Sequence, residues 1–169
     1  MAYKFLESKI SVSTDNAIHV AKNIKLQDLD NPELRLESCG NLASKLAESD
    51  RIREELIFFQ RDFPKKKVGA VLDGRDIGSV IFPDAKIKLF VTADLEVRAQ
   101  RRQEDYKKMG QEYSLRDLTE KLKERDKRDK NRKVSPLICM PDAIVFDNSE
   151  ISFERLNKEI IEIVEKKYK

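Results

Sequence analysis

The fold is indicated most clearly by one stretch of the sequence, Val68-Gly-Ala-Val-Leu-Asp73-Gly-Arg-Asp-Ile-Gly-Ser79. Its apolar beginning, Val68 to Leu72, ends abruptly at Asp73 and a glycine. Such a run is typical of a strand that is buried on both faces and delivers a carboxylate at its C-terminal end. In open α/β sheets, ligands bind at that edge. The stretch therefore predicts a parallel sheet with a functional site beyond the end of this strand.

The charged residues that follow have positions suited to phosphate chemistry. Gly74 and Gly78 flank Arg75 and Asp76, so the backbone can turn tightly while two charged side chains project. A second apolar run, over residues 87–91, predicts another strand with a helix after it. That helix carries three arginines on roughly one face: Arg98, Arg101 and Arg102. A carboxylate at a strand end that faces an arginine cluster is typical of phosphoryl transfer.

Together these motifs resemble those of the bacterial cytidylate kinases (CMP kinases), a family of nucleoside monophosphate kinases. The resemblance runs over the whole chain and is densest between residues 68 and 147. It is carried by Asp73-Gly-Arg-Asp-Ile-Gly-Ser, Phe82-Pro-Asp-Ala, Arg98-Ala-x-Arg-Arg, Glu124-Arg-Asp-Lys-Arg-Asp-Lys-Asn-Arg-Lys and Ser135-Pro-Leu. The resemblance implies transfer of the ATP γ-phosphoryl group to CMP or dCMP, with Mg²⁺ accompanying ATP and CDP or dCDP as the product.

The resemblance also implies one α/β domain over residues 1–169, with a parallel sheet and the fold of the P-loop nucleoside monophosphate kinases. Residues 11–55 would form a helical region that binds the nucleoside monophosphate. Residues 98–135 would form a helical lid that closes over the ATP phosphates. Within that lid, Gly110 is suited to end one basic helix and Ser114 to begin the next.

Hydrophobic periodicity predicts the remaining elements. A long helix is expected over residues 41–62, with a break indicated at Ser49. A third short strand is expected over residues 142–147, and Ser152 is suited to cap a last amphipathic helix that ends near Lys167. The buried stripe of this helix is predicted to consist of Ile160, Ile161 and Val164.

Several site residues follow from the resemblance, position by position. The acceptor nucleotide would contact seven polar or charged residues: Ser44, Arg53, Arg75, Asp76, Arg125, Asp129 and Arg132. Asp76 is suited to accept a hydrogen bond from the cytosine amino group. The candidate catalytic residues are Arg75, Arg125 and Arg132, which would hold the acceptor phosphate or the moving phosphoryl group. The three arginines of the helix after the second strand would face ATP, and Asp73 would orient Mg²⁺ through water.

Spacing alone allows a simpler interpretation of some of these residues. Ser44 and Arg53 lie in a predicted helix, where polar side chains usually form a solvated face. Arg125, Asp129 and Arg132 are spaced four and three apart and share one helix face. They form either a phosphate site whose arginines are oriented by the central carboxylate, or a ladder of surface salt bridges worth about 0–1 kcal/mol each. The resemblance favours the site in both cases.

One motif of the P-loop kinases does not occur in the sequence. Their G-x-x-x-x-G-K-[ST] loop cradles the β-phosphate, supplies a lysine to the γ-phosphate and ligates Mg²⁺. Gly69 and Gly74 have the right spacing, but Arg75 and Asp76 follow where Lys and Ser or Thr are required. By the resemblance, Met1 aligns just after the family's second strand, which predicts a shortened, incomplete fold without the first two strands and the first helix. A non-catalytic remnant that retains CMP binding is therefore an alternative function.

Composition and charge limit the other classes. The net charge is only +3, but residues 98–132 carry 13 Lys and Arg against eight Asp and Glu, which indicates a phosphate-bearing partner. A basic RNA-binding protein is a further alternative, which is disfavoured because only Tyr106 and Tyr113 could stack bases in that segment. A kinase of UMP or AMP is disfavoured only by the resemblance.

No apolar run is as long as a membrane span, and two cysteines without a pairing pattern suggest reduced thiols. We expect a cytoplasmic monomer that acts on small nucleotides, not on nucleic acid or membranes.

Overall fold

The computed structural model describes residues 2, 4–5, 13–66 and 69–168. They divide into two compact units, of which the first comprises Met1–Ile77 with Arg128–Leu137 and the second Gly78–Lys127 with Ile138–Lys169. The predicted α/β class is confirmed, because the helices accompany a small parallel sheet. In the described part of the chain, no helix is both long and apolar enough to cross a membrane.

The first unit is helical in its described residues. Its helices are α1 (Thr14–Lys22), α2 (Glu37–Leu46) and α3 (Asp50–Asp62), and its 3-10 turns are Leu26–Asp30, Pro32–Arg35 and Pro64–Lys66. Ser13 caps α1, since its hydroxyl oxygen accepts a hydrogen bond from the Asn16 N–H at 3.2 Å. The predicted break at Ser49 is confirmed, because α2 and α3 are separate helices. Apolar side chains of the three helices, including Ala17, Cys39 and Ile52, form one core.

The second unit contains the sheet. Its elements are β1 (Leu89–Thr92), α4 (Leu95–Lys108), α5 (Leu115–Asn131), β2 (Ile144–Asp147) and α6 (Phe153–Tyr168). The two strands pair in parallel, with Leu89 opposite Ile144 and Thr92 opposite Asp147. Both match predicted strands, and their C-terminal ends lie side by side. The last turn of α5 differs from the rest of that helix, because from Arg128 onward it belongs to the first unit.

The hairpin of α4 and α5 matches the expected pair of lid helices. Gly110 has a φ of 72° and follows the last turn of α4. Its N–H donates to the Lys107 carbonyl at 3.0 Å, and the Gln111 N–H donates to the Tyr106 carbonyl at 2.9 Å, which is a Schellman motif. Ser114 then caps α5 with its hydroxyl, 3.0 Å from an N–H of the first turn. The predicted roles of Gly110 and Ser114 are both confirmed.

The predicted strand over Val68–Leu72 is wrong for the residues that the structure describes. Residues 69–72 are irregular, Val71 is 98% exposed, and Val68 lies outside the described residues. An apolar run becomes a strand only where a neighbouring strand supplies hydrogen-bond partners. In the described part of the chain, the sheet consists of β1 and β2, and neither pairs with this run. A π-helical turn, Ile77–Ile81, follows the charged residues instead.

The predicted buried stripe of α6 is also corrected. Ile161 is 57% exposed and Val164 is exposed as well, whereas Ile160 is half-buried and Leu156 is buried. The inward face is thus formed by Leu156, Ile160 and Ile163, which follow one another at intervals of four and three residues. Because α6 has apolar residues around more than one face, periodicity alone did not identify the face that packs.

Candidate functional site

Four segments of the first unit bring most of the predicted acceptor-site residues together. Helix α2 supplies Ser44, α3 supplies Arg53, the turn after Gly74 supplies Arg75 and Asp76, the last turn of α5 supplies Asp129, and Arg132 follows directly after that helix. Hydrogen bonds or ion pairs connect these residues into two groups, one around Asp129 and one in which Arg53 and Arg132 both contact Ser135. We refer to the six residues and Ser135 as the polar cluster.

Asp129 is the centre of the first group. Its side chain is almost fully buried, and the whole residue is 1% exposed. One carboxylate oxygen accepts a hydrogen bond from the Ser44 hydroxyl at 2.8 Å, and the other accepts one from Nε of Arg75 at 2.9 Å. The Arg75 side chain is 38% exposed. Asp129 therefore binds Arg75 through Nε, so that the two terminal nitrogens of Arg75 remain as donors for another acceptor.

Arg53 is the centre of the second group. Its guanidinium forms an ion pair with Asp76, and both side chains are largely buried. Nε of Arg53 donates to the Ser135 hydroxyl oxygen at 3.1 Å. A buried arginine needs both a counter-charge and hydrogen-bond acceptors, and Asp76 and Ser135 supply them. The solvated face that spacing alone suggested for Ser44 and Arg53 is therefore wrong.

Arg132 completes the polar cluster. Its Nε and one terminal nitrogen donate to the Ser135 carbonyl oxygen at 2.8 and 2.6 Å. Burial lowers the pKa of Arg132, and the positive charge of Arg53 lowers it further, whereas the negative charges of Asp129 and Asp76 raise it. Burial and a neighbouring cation both destabilise a charged guanidinium, and an anion bound beside it would reverse that effect.

The charges of the polar cluster do not cancel. Three guanidinium groups share two carboxylates, which leaves one unit of positive charge among largely buried groups. Each carboxylate holds an arginine in a defined direction while that arginine remains a donor for other acceptors. Chemically, such a cluster is suited to bind a phosphate-bearing ligand that also carries hydrogen-bond donors.

Helix α2 is joined to the end of α5 by more than Ser44. A terminal nitrogen of Arg128 donates to the Asn41 side chain at 3.0 Å, and its Nε lies 3.7 Å from the Glu48 carboxylate. Asn41, Ser44 and Glu48 thus follow one side of α2 and the turn after it, and all three contact the same part of α5. This polar seam positions Asp129 in the cluster.

Arg125 is one turn before Asp129 on α5. It is half-buried and lies in the part of this helix that belongs to the second unit. Arg125 and Asp129 lie four residues apart in α5 as expected, whereas Arg132 follows the last residue of that helix. A role for Arg125 in acceptor binding stays a prediction.

The three arginines expected to face ATP lie on α4, and each has contacts within the second unit. Arg98 donates two hydrogen bonds to the Asp126 carboxylate, at 3.1 and 2.7 Å. Arg101 donates to the side-chain and main-chain oxygens of Asn148, just after β2, at 2.9 and 2.7 Å. Arg102 donates to the Tyr106 hydroxyl at 3.0 Å. The structure therefore brings Arg101 to the C-terminal edge of the sheet, and ATP contact by these residues stays a prediction.

Asp73 does not end a strand. It is exposed and lies in the irregular segment before Gly74. Among the described residues, no group of three or more His, Cys, Asp or Glu side chains is arranged to hold a metal ion. The expected position of Asp73 at the C-terminal end of a buried strand is therefore wrong, because that strand is not formed.

Ser135 belongs to the polar cluster but was not predicted as a site residue from the sequence. It contributes both its hydroxyl and its carbonyl to the cluster, and its φ of 46° places it in the left-handed region. The Ser-Pro-Leu motif was noted in the sequence, but a serine before proline carries no signal of a left-handed backbone.

Comparison with known proteins identifies the family. The family model "Cytidylate kinase" matches residues 3–166. The chain belongs to the cytidylate kinase family. It is 46% identical over 129 residues to a cytidylate kinase of Methylococcus capsulatus, covering 76% of this chain and 58% of that protein. It is 38% identical over 165 residues to a cytidylate kinase of Cereibacter sphaeroides, covering 98% of this chain and 80% of that protein.

A third relative, a cytidylate kinase of Bartonella henselae, is 39% identical over 155 residues, which are 91% of this chain and 72% of that protein. The predicted family is therefore confirmed, and with it the kinase class and cytidylate as the substrate of the family. The alternative of a basic RNA-binding protein is not favoured by these matches.

Proposed function

We propose that this cytidylate kinase family member binds CMP or dCMP in the polar cluster and presents it to ATP, giving CDP or dCDP. The observation that carries this proposal is the residual positive charge of three arginines, of which two pair with buried carboxylates and the third, Arg132, is bound by the Ser135 carbonyl. That arrangement suits a ligand with one phosphate group and a base that carries hydrogen-bond donors. CMP has both features.

Each residue of the cluster has a role that its contacts support. Arg75 and Arg132 would hold the acceptor phosphate, and Arg125 would join them from α5. Asp76, oriented by Arg53, would accept a hydrogen bond from the cytosine amino group. Asp129, with the Ser44 hydroxyl, would orient Arg75 and contact the nucleoside.

The reaction needs little acid–base chemistry from the protein. The attacking phosphate oxygen is already ionised near pH 7, so the protein contributes charge neutralisation, alignment and exclusion of water. Arg98, Arg101 and Arg102 would neutralise ATP phosphates from the hairpin of α4 and α5, which we infer to be the lid. Water exclusion by such a lid raises the strength of each charged contact inside the site.

Mg²⁺ would reach the reaction with ATP. The described residues do not form a cage for the ion, so water and the ATP phosphates would supply most of its ligands. When bound, the ion would neutralise charge on the transferred phosphoryl group.

We also infer that the protein acts as a cytoplasmic monomer on small nucleotides, and that nucleic acids and membranes are not its partners. Neither Cys39, which is buried, nor Cys139, which is exposed, forms a disulfide, which accords with a reducing compartment. Tyr106 is 1% exposed, so one of the two tyrosines in the basic segment is too deeply buried to stack on an RNA base.

Calorimetric titration of this chain with CMP, UMP, AMP and a short RNA tests the proposal, together with an assay of ATP-dependent CDP formation. We expect selective binding of CMP, weakened about 10- to 100-fold in Arg75→Ala, because a charged hydrogen bond is worth about 1.5–3 kcal/mol. Arg155→Ala is the matched control, since Arg155 is an exposed arginine of α6 paired with Glu159.

The outcomes are distinct. CMP-selective binding with CDP formation supports the proposal, and the same binding without turnover would contradict the phosphoryl transfer. Equal affinity for all nucleotides would contradict the CMP site. RNA binding that weakens steeply with salt would instead support a nucleic-acid partner.

A further inference from the structure

Ser135 has an unusual backbone conformation at the point where Arg53 and Arg132 both contact it. Its φ is 46°, and no other non-glycine residue in the described part of the chain has a positive φ. Left-handed backbone is unfavourable for residues with a Cβ, and such positions persist where the surroundings hold them. Here the surroundings are two buried arginines.

The two acceptor oxygens of Ser135, in its hydroxyl and its carbonyl, are both used by these arginines. Its hydroxyl oxygen accepts from Nε of Arg53 at 3.1 Å, and its carbonyl oxygen accepts two hydrogen bonds from Arg132, at 2.8 and 2.6 Å. One residue therefore fixes the Nε of two guanidinium groups that repel each other. Once Nε is fixed, the plane of a guanidinium and the direction of its remaining donors are also fixed.

The turn that contains Ser135 is attached to α5 on both sides. Before it, the Arg132 N–H donates to the Arg128 carbonyl at 2.9 Å, which continues the helical pattern beyond Asn131. After it, the Leu137 N–H donates to the Asp129 carbonyl at 2.7 Å. The backbone thus returns to Asp129, whose side chain orients Arg75. The turn connects all three arginines of the cluster.

We propose that Ser135 is a positioning residue of the acceptor site, which sets the direction of Arg53 through its hydroxyl and of Arg132 through its carbonyl. The proposal rests on the proposed function of the cluster as the CMP site. Ser135 itself does not bind the nucleotide in this view, and its effect on CMP passes through the two arginines. Its hydroxyl should therefore influence recognition of the base, through Arg53 and Asp76, and its carbonyl should influence binding of the phosphate, through Arg132.

Ser135→Ala separates the two contacts, since it removes the hydroxyl and keeps the carbonyl. We expect affinity for CMP to fall about fivefold and affinity for UMP to remain within about twofold, because the lost hydrogen bond aligns Arg53, which orients Asp76 toward the cytosine amino group, a donor that uracil lacks. Ser135→Asn should restore at least part of the CMP affinity, since asparagine tolerates positive φ and carries a side-chain oxygen. Ser152→Ala, which removes a helix-cap hydroxyl of α6, is the matched control.

A second measurement does not depend on CMP. Hydrogen exchange of the arginine Nε–H groups can be followed by NMR, with Arg53 and Arg132 assigned from the spectra of Arg53→Lys and Arg132→Lys. In Ser135→Ala, exchange at Arg53 should be about fivefold faster or more, whereas exchange at Arg132 should change little because its carbonyl acceptor is retained. Ser135→Gly, which removes the hydroxyl and relieves the backbone conformation, should give the same result at Arg53.

The failures of the two proposals are distinguishable. If the unaltered chain binds CMP but Ser135→Ala leaves Arg53 exchange and CMP affinity unchanged, the role of Ser135 is overturned and the CMP site stands. Equal losses for CMP and UMP would also overturn it, since they would indicate a purely structural residue. If the unaltered chain does not bind CMP, the proposed function is overturned, and the assignment of Ser135 to an acceptor site is overturned with it.

Discussion

Ser44 and Asp129 are 85 positions apart in the sequence, yet the Ser44 hydroxyl donates to Oδ1 of Asp129 at 2.8 Å and both side chains are buried. The contact joins α2 to the end of α5 within the first unit. On its other oxygen, Asp129 holds Arg75. Folding of this unit and assembly of the polar cluster are thus coupled through one carboxylate.

Ser44→Ala tests that coupling. The substitution leaves one oxygen of a buried carboxylate without this donor, so we expect the free energy of unfolding to fall by about 1–2 kcal/mol and CMP affinity to fall with it. Urea denaturation and calorimetry measure the two effects. Ser49→Ala is the control, because the Ser49 side chain makes no cap hydrogen bond at the start of α3. Equal stability of the two variants would contradict the prediction.

Arg132→Lys tests whether the geometry of this guanidinium matters beyond its charge. Lysine keeps the charge but has a single nitrogen, whereas two nitrogens of Arg132 donate to the Ser135 carbonyl and a third would remain for the phosphate of the proposed site. We expect CMP affinity to fall about tenfold, or about 1.4 kcal/mol.

Cytidine titration provides the comparison for Arg132→Lys, since its affinity should change much less than that of CMP. Arg155→Lys on the exposed surface of α6 should leave both affinities unchanged. A similar decrease for CMP and cytidine would show that the substitution disturbs the fold and not the phosphate contact.

Local signals in the sequence predicted much of this structure. Helix caps at Ser114 and Ser152, the end of α4 at Gly110 and the break at Ser49 all depend on residues within one or two turns, so they can be inferred from short segments. The acceptor-site residues were predicted through motif resemblance, because spacing alone favoured a solvated face for Ser44.

The features that were not predicted depend on distant parts of the chain. The apolar run before Asp73 has the composition of a strand, but a strand requires a partner, and composition does not supply one. The left-handed conformation of Ser135 is maintained by contacts with Arg53 and Arg132, which no local pattern reveals. On α6, the choice between Ile160 and Ile161 as the inward residue depends on what packs against the helix.

Gly110→Ala tests the turn between α4 and α5. No heavy atom lies within 4 Å of a Cβ at this position, so the substitution changes only the cost of a φ of 72°. We expect a loss of about 1–2 kcal/mol in the free energy of unfolding. Gly69→Ala is the control, because a Cβ there also meets nothing within 4 Å and its φ is not in the left-handed region. Equal effects in urea denaturation would contradict the strain argument.

Asp142→Asn tests an ion pair of the second unit through its dependence on pH. Asp142 accepts a hydrogen bond from the buried Lys88 at 2.7 Å, and this bond lowers the pKa of Asp142 below its ordinary value of 3.8. A carboxylate with a lowered pKa in the folded state stabilises that state above 3.8, and the stabilisation is lost as the pH falls through the lowered pKa.

The Tm of Asp142→Asn should therefore be lower than that of the unaltered chain at pH 7, because Lys88 loses its counter-charge. The difference should narrow as the pH falls below 3.8, where the unaltered chain also becomes protonated at Asp142. Thermal unfolding at a series of pH values measures this, with Asp84→Asn in the exposed turn before β1 as the control. A difference in Tm that stays constant from pH 7 to pH 3 would show that the substitution acts through packing and not through the charge of Asp142.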